Sequence, residues 1–351
     1  MFQTFDPVSD RSFASRHLPL LRAELARLRL DGFVIPHDDE YQNEYIPAYA
    51  ERLMWASGFS GSAGSAIVLT DRAIIFTDGR YTLQVRAQVD DAFFTFEDVP
   101  ASSPESWLGK NARPGWRIGF DPLVHAQTNV ERLEAAAKKA GFELVAVSPN
   151  PIDLAWADQP ARPAVRIAPH PHQFAGRSAA EKRADIARAV ADAGADAFLV
   201  TSPPSIAWLF NIRGGDVSRT PLPLGRALIR KDATATLYVA PEKVGNDLAE
   251  WLGTDVDIRP ETDVEAALAR LGEEARRVAV DPALAPAAYV AALKSAGAAI
   301  VEIADPCAVP RAMKNEAELA GTRTAHIRDG AAMTRFLHWI ATRAQDGSVD
   351  E

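Results

Sequence analysis

The sequence predicts an α/β protein built from two homologous domains with mixed sheets, and three observations support this. Arg117-Ile-Gly-Phe-Asp121-Pro122 returns as Arg277-Val-Ala-Val-Asp281-Pro282, 160 residues further on. Each copy leads into a helical pattern that closes on Ala-Gly, at Gly141 and Gly297, where glycine adopts the left-handed conformation that ends a helix at low cost. Each is then followed by a strand pattern, Leu144–Val147 and Ile300–Ile303. A period this long is no solenoid repeat; duplication of a whole domain explains it.

The elements follow in order. Leu21, Leu25 and Leu28 recur at helical spacing, Asp31-Gly32 stops the helix, and Phe33-Val34-Ile35 reads as a buried strand. Ala66–Leu69 and Ala73–Phe76 form a β-rich stretch. The proline-rich segment Pro149 to Pro171 reads as the joint between domains. Beyond it, Ser178-Ala-Ala-Glu181 is a capping box, in which hydroxyl and carboxylate satisfy the orphan amides of a helix start. That helix runs through Ile186 and Val190 to Gly194, and Ala197–Val200 is the next strand. Arg226–Ile229 and Ala235–Tyr238 repeat the β-rich stretch.

After Pro310 the texture changes. Asn315-Glu-Ala-Glu318 caps a helix expected to persist to about Ala344, with Leu319, Met333, Phe336, Leu337 and Ile340 apolar. So long a helix draws most of its stability from packing. The expectation is therefore that its covering partner lies in a larger protein; the bland alternative is that it packs back onto the second repeat. The domain limits read as 1–157, 158–310 and 311–351.

Composition narrows the function classes. Hydrophobic residues make up 47% and charged residues 24% of 351, an ordinary globular balance. With 38 basic and 47 acidic residues the net charge is −9, and no basic run offsets it, so nucleic acid is a poor partner. One cysteine, Cys307, allows no internal disulfide and reads as a buried structural thiol in a reducing compartment. Asp6, Asp10, Arg11, Arg16, Arg22, Glu24 and Arg27 leave no apolar signal-peptide core. No stretch approaches the ~20 apolar residues of a membrane span. The expectation is a soluble, cytoplasmic protein.

Several strings invite a chemical reading. His37-Asp38-Asp39-Glu40 offers metal-ligand types, but adjacent residues rarely converge on one ion, and capping or solvating a loop is the better reading. His170 and His172 fall in the joint, and His326 and His338 stand too far apart on one helix to share a metal. Gly58-Phe-Ser-Gly61-Ser-Ala-Gly64 permits either an anion cradle or close packing. Thr77-Asp78-Gly79-Arg80-Tyr81 reads as a strand-to-helix turn, with Arg80 projecting a planar fork suited to carboxylate or carbonyl, or simply to a surface ion pair. Ser205–Phe210 leads an apolar run into the Arg213-Gly-Gly-Asp216 loop.

Together these strings resemble the three-domain, cytosolic-type aminopeptidase P family. The carriers are Ser57–Gly64, Thr77–Tyr81 with Gln84, Ala207–Gly214, Lys314-Asn315-Glu316 and Ala325–Gly330. The resemblance implies two creatinase-like, ribonuclease H-like domains ahead of a "pita-bread" catalytic domain, of which only the opening helix is present here. It implies an enzyme that removes an N-terminal residue preceding proline. Its two Mn(II)-type ions would be held by two aspartates, one histidine and two glutamates of that third domain, and would supply a hydroxide nucleophile. None of those ligands has a counterpart here, so no catalytic residue, metal ligand or bound cofactor is expected in this chain, and the chain alone is expected to be inactive. The resemblance assigns substrate contact to Arg80 and an interface with the catalytic domain to Trp208, Arg213 and Asp216. The partners it implies are short peptides with proline second, the catalytic domain, and a homodimer in the complete protein. The rival readings are a prolidase or creatinase relative, which carries one such domain instead of two, and a stand-alone, non-catalytic binding or regulatory protein.

Overall fold

The computed structural model describes residues 8–99, 101–274, 276–345 and 347. The first unit comprises α1 (Ser12–Arg27), β1 (Gly32–Pro36), α2 (Arg52–Ser57), β2 (Ser65–Leu69), β3 (Ala73–Thr77), α3 (Thr82–Gln88), β4 (Phe94–Asp98), α4 (Pro104–Asn111), β5 (Arg117–Phe120), α5 (Gln127–Ala140), β6 (Glu143–Ala146) and α6 (Pro151–Ala155). Its sheet runs β4-β3-β2-β1-β5-β6. The β1–β2 and β2–β3 pairs are antiparallel, while β3–β4, β1–β5 and β5–β6 are parallel. Because strand side chains alternate, Phe33, Ile35, Ala66, Val68 and Ile75 face one core with Leu18, Leu21 and Leu25 of α1. Val34, Ile67, Ile74 and Phe76 face the other, with Leu108 of α4 and Val130 and Leu133 of α5. Both faces of the sheet are covered, which is why its strands read as continuous apolar runs.

The second unit comprises β7 (Ala168–Pro169), α7 (His172–Ala175), α8 (Ala179–Asp192), β8 (Ala197–Val200), α9 (Pro203–Leu209), β9 (Ile212–Arg213), β10 (Arg226–Arg230), β11 (Ala235–Val239), α10 (Asn246–Leu252), β12 (Val256–Pro260), α11 (Val264–Glu273), β13 (Arg277–Val280), α12 (Ala287–Ser295), β14 (Ala299–Glu302) and α13 (Ala308–Ala312). Its main sheet runs β12-β11-β10-β8-β13-β14, the first sheet's order element for element. Strand register makes the duplication exact enough to number: Ser65 opposite Phe76 corresponds to Arg226 opposite Tyr238. Local chemistry repeats as well. The Asp31 carboxylate accepts from Arg117 N at 2.7 Å, and the Asp196 carboxylate accepts from Arg277 N at 3.0 Å.

The two units meet across a pseudo-twofold axis. Ala126 and Pro286, 160 residues apart, form an antiparallel bridge. Around it Gln127 N donates to Ala285 O (3.0 Å) and Ala287 N to His125 O (2.9 Å). Thr128 N donates to Pro282 O (3.0 Å) and Ala288 N to Pro122 O (2.9 Å). Each bond maps onto its mate under the repeat, as in an isologous dimer interface.

One segment differs from the sequence reading. The stretch after Pro149 is not only a joint: Asn150 caps α6 by accepting from Ile152 N at 2.9 Å, Pro151 opens the helix, and Ile152 is wholly buried in the first core. The helix belongs to the first unit because its apolar side chain has a core to enter.

Beyond α13, α14 (Glu316–Arg343) is a 28-residue helix begun by an Asn315–Glu318 capping box. Asn315 Nδ2 also donates to Ala175 O of α7 at 2.9 Å, rooting the helix on the second unit. None of its described residues is buried, and Ile327, Met333, Phe336, Leu337 and Trp339 stand exposed. The helix does not pack back onto the second repeat along its length.

Candidate functional site

Arg80 sits where expected, in the turn from β3 to α3. Its backbone N–H and its guanidinium both bind Asp78: N to Oδ1 at 2.9 Å and Nη2 to Oδ2 at 2.8 Å. These bonds hold the Asp78 carboxyl below its ordinary value. The guanidinium lies 5.1 Å from the Tyr81 ring centroid, and the side chain is 61% exposed. An exposed pair of this kind contributes little to stability, so the fork is held in place yet free to exchange Asp78 for another acceptor.

The glycine-rich passage is a packing device. A Cβ on Gly61 would lie 2.3 Å from Phe59 and 2.8 Å from the Tyr81 ring. Tyr81 Oη accepts from Ser62 N at 3.2 Å and meets Ser62 Oγ at 2.8 Å. Gln84 Nε2 and Gln88 Nε2 both donate to Ser60 Oγ. The loop's polar groups are thus spent on the helix that follows Arg80, which orients that turn.

In the second unit, Trp208 on α9 and Arg213 on β9 lie by the root of α14. Lys182 of α8 joins them: its Nζ is 4.7 Å from the Trp208 ring centroid and donates to Asn211 Oδ1 at 2.6 Å and Trp208 O at 3.2 Å. Burial lowers the Lys182 ammonium to about 8, partly offset by the Glu318 carboxylate of α14. Arg213 Nη1 donates to Ile212 O at 2.9 Å, and Glu318 acts on Arg213 too. Asp216 points inward instead. Its carboxylate takes a 2.7 Å bond from Lys243 Nζ and accepts from Val165 N and Leu224 N, with both charged side chains almost fully buried.

The His37–Glu40 run divides its labour. Asp39 caps its own loop through Tyr41 N and Asn43, and burial pushes its carboxyl up to about 6. Glu40 is not solvated, as the sequence suggested for this run. It lies buried between Arg52 Nη2 (3.0 Å) and Arg162 Nη2 (2.7 Å), and despite desolvation these guanidinium groups bring its carboxyl down to about 2. Tyr41 then crosses to the second unit, donating to Glu261 at 2.7 Å beneath the buried Arg226, whose guanidinium carbon is 3.8 Å from the ring centroid. This hub was missed in the sequence, because nothing local marks a tyrosine as the partner of an arginine and a glutamate 185 and 220 residues away.

Among the described residues no group of three His, Cys, Asp or Glu side chains could hold a metal ion. The described residues therefore do not fit a metal centre. Among the same residues no helix is long and apolar enough to cross a membrane. Cys307 is wholly buried and burial pushes its thiol well up, consistent with a structural thiol.

Two tandem α/β units of identical topology, related by a pseudo-twofold axis, define the class. Family models described as creatinase/prolidase N-terminal domain match residues 18–154 and, for a second such model, 158–318, so the chain belongs to that family and carries its domain twice. The similarity reaches particular proteins. Probable Xaa-Pro aminopeptidase P of Paracoccidioides brasiliensis is 34% identical over 339 residues, covering 93% of this chain and 55% of that protein. The same-named protein of Aspergillus clavatus is 35% identical over 350 residues, covering 96% and 53%. The crystal structure of X-prolyl aminopeptidase from Caenorhabditis elegans, a cytosolic enzyme with a di-nuclear active site, shares the fold at TM-score 0.89 and 24% identity, covering 95% of this chain and 57% of that one. The chain spans about half the length of the curated relatives it matches.

Proposed function

We propose that the chain is the N-terminal, entrance-shaping portion of a metal-dependent aminopeptidase that cleaves the bond between an N-terminal residue and a following proline. The observation that carries this reading is the collinear similarity, 93% of the chain aligned with 55% of an Xaa-Pro aminopeptidase P. The uncovered apolar face of α14 supports it, since a solvent-facing row of Ile327, Met333, Phe336 and Leu337 suits a helix that another domain covers. In this reading residues 1–157 and 158–310 are the two non-catalytic domains, and residues 311–351 open the catalytic one. Two divalent ions of the Mn(II) type belong to that catalytic domain, and the working compartment is the cytoplasm. The complete protein acts on short peptides with proline second and is compatible with a homodimer.

Arg80 is the proposed substrate contact, exchanging Asp78 for a peptide carbonyl or carboxylate. Trp208 and Arg213, together with Lys182 beside α14's root, are the proposed contacts with the catalytic domain. Asp216 serves that surface indirectly, by holding the loop that follows Arg213. The test is Mn(II)-dependent release of the first residue from a short Xaa-Pro peptide. The 351-residue chain alone is expected to release nothing; clear release by it, free of contaminating peptidase, would overturn the placement of the metal site. In the complete protein, Arg80→Ala is expected to lower kcat/KM, and unchanged kinetics would remove Arg80 from the site.

A further inference from the structure

One face of the duplicated sheet is furnished differently in the two units. In the first, Leu69, Ile74 and Phe76 lie buried with Trp107 of α4 in a single apolar core. Strand register gives their counterparts in the second unit as Arg230, Thr236 and Tyr238. The offset of 160 that relates Arg117 to Arg277 sets Ala267 of α11 in the place of Trp107. The edge strand changes as well, since Thr95 and Glu97 of β4 give way to Asp257 and Arg259 of β12. An apolar layer closed by an indole has thus become a recess of about 400 Å³ between β10–β12 and α11, lined by these residues together with Arg270, Asp263 and Glu274. Thr236 and Tyr238 are each only 4% exposed, so hydroxyl groups stand at its floor. The exchange gives up apolar packing and buries polar groups, which is unfavourable unless they find partners.

The charges of the lining are not equivalent. Asp257 is met by Arg259 at 3.7 Å and Glu274 by Arg276 at 3.0 Å. Arg230 reaches only the Thr236 hydroxyl, to which its Nη2 donates at 3.3 Å, and neither it nor Arg270 has an ion pair among the described residues. Burial raises the Tyr238 phenol above its ordinary value, and the guanidinium groups of Arg230, Arg270 and Arg259 each work against that rise. Positive charge therefore gathers over the floor. We propose that this recess binds a small phosphorylated ligand, with Arg230 and Arg270 taking the phosphate and Asp263 accepting from a ligand hydroxyl. Planar guanidinium forks match phosphate oxygens two at a time, and two uncommitted guanidinium groups balance the charge of about −2 that a phosphate monoester carries near neutral pH. The Thr236 and Tyr238 hydroxyls can donate to the same oxygens. The volume lies in the range of small-ligand sites.

Calorimetric titration of the 351-residue chain at low ionic strength, with ribose 5-phosphate as the probe, tests the proposal. Saturable binding is expected, weakened about tenfold or more by Arg270→Ala and by Arg230→Met. Ribose without its phosphate, and the dicarboxylate succinate, are expected to give no saturable heat. Ala267→Trp restores the indole of the first unit and is expected to abolish binding. Thermal melts report whether each variant is folded; should Ala267→Trp or Arg230→Met not fold, the exposed Arg270 and the two control ligands decide alone. No saturable heat with ribose 5-phosphate, or unchanged binding by Arg270→Ala, would overturn the proposal. Succinate binding as tightly would overturn the assignment to phosphate, and full binding by Ala267→Trp would place the anion elsewhere on the surface. The probe has no peptide bond and the measurement needs no catalytic domain, so the result is independent of the peptidase reading.

Discussion

The two units share the six strands of their main sheets and nearly every helix, yet close their loops by different means. In the first, the passage before β2 is tied down by a phenol, Tyr81 meeting Ser62. At the corresponding place after β11, the second unit has Lys243, whose ammonium binds Asp216 at 2.7 Å and Leu224 O at 3.0 Å in the interior. The first unit keeps His125 at the pseudo-twofold axis, buried and bonded at Nδ1 to Asp121 O at 2.8 Å; the second has Ala285 there. The second unit also receives Tyr41 from the first, bonded to Glu261 and lying over Arg226. A duplicated scaffold keeps its apolar layers because both faces of each sheet must be covered. Its polar fittings diverge where strands end and loops begin, because a new buried charge there needs only one new partner.

The largest expected effect lies in the second unit's tether. Lys243→Met strands the Asp216 carboxylate in the interior and should cost about 4 kcal/mol, read from denaturant unfolding. A cost under about 1 kcal/mol would mean the pair behaves like a surface contact. Next comes the crossing residue. Tyr41→Ala empties a buried site and frees Glu261, an expected loss of about 3 to 4 kcal/mol. If Tyr41 couples the units, unfolding should also change from one transition to two.

His125 separates the units by pH. Burial lowers its imidazole from the ordinary 6.5 to about 4. The neutral ring therefore stabilises the fold fully above 6.5, and that contribution, about 3 kcal/mol, is lost as pH falls toward 4. His125→Ala, which copies the second unit, should flatten the stability profile across that window. An unchanged slope would place the acid sensitivity elsewhere. The smallest effect is expected at the first unit's tether, where Tyr81→Phe removes neutral hydrogen bonds and should cost about 1 kcal/mol. Equal costs for Tyr81→Phe and Lys243→Met would erase the contrast between the two closures.

Much of the scaffold was legible beforehand. The Asp121 and Asp281 strings, the capping boxes at Ser178 and Asn315, and the helix-ending Gly141 and Gly297 are local signals, each satisfied within a few residues. The exposed row on α14 was legible too, since helical spacing alone groups Met333, Phe336 and Leu337. Arg80 was placed correctly in its turn, but its bond to Asp78 was one of two open readings. Asp216 illustrates the limit. Its sequence neighbours, Arg213 and two glycines, suggested an outward loop, while its partners Lys243 and Val165 are 27 and 51 residues away.

The sequence by itself determined which segments become helix and strand, that the unit is written twice, and which face of each strand is apolar, because periodicity and capping act over a handful of residues. Only the tertiary structure decided which charges are buried together and that Tyr41 serves the other unit. Those outcomes depend on groups brought together across the pseudo-twofold axis, where desolvation makes each buried polar atom depend on a partner that no local pattern names.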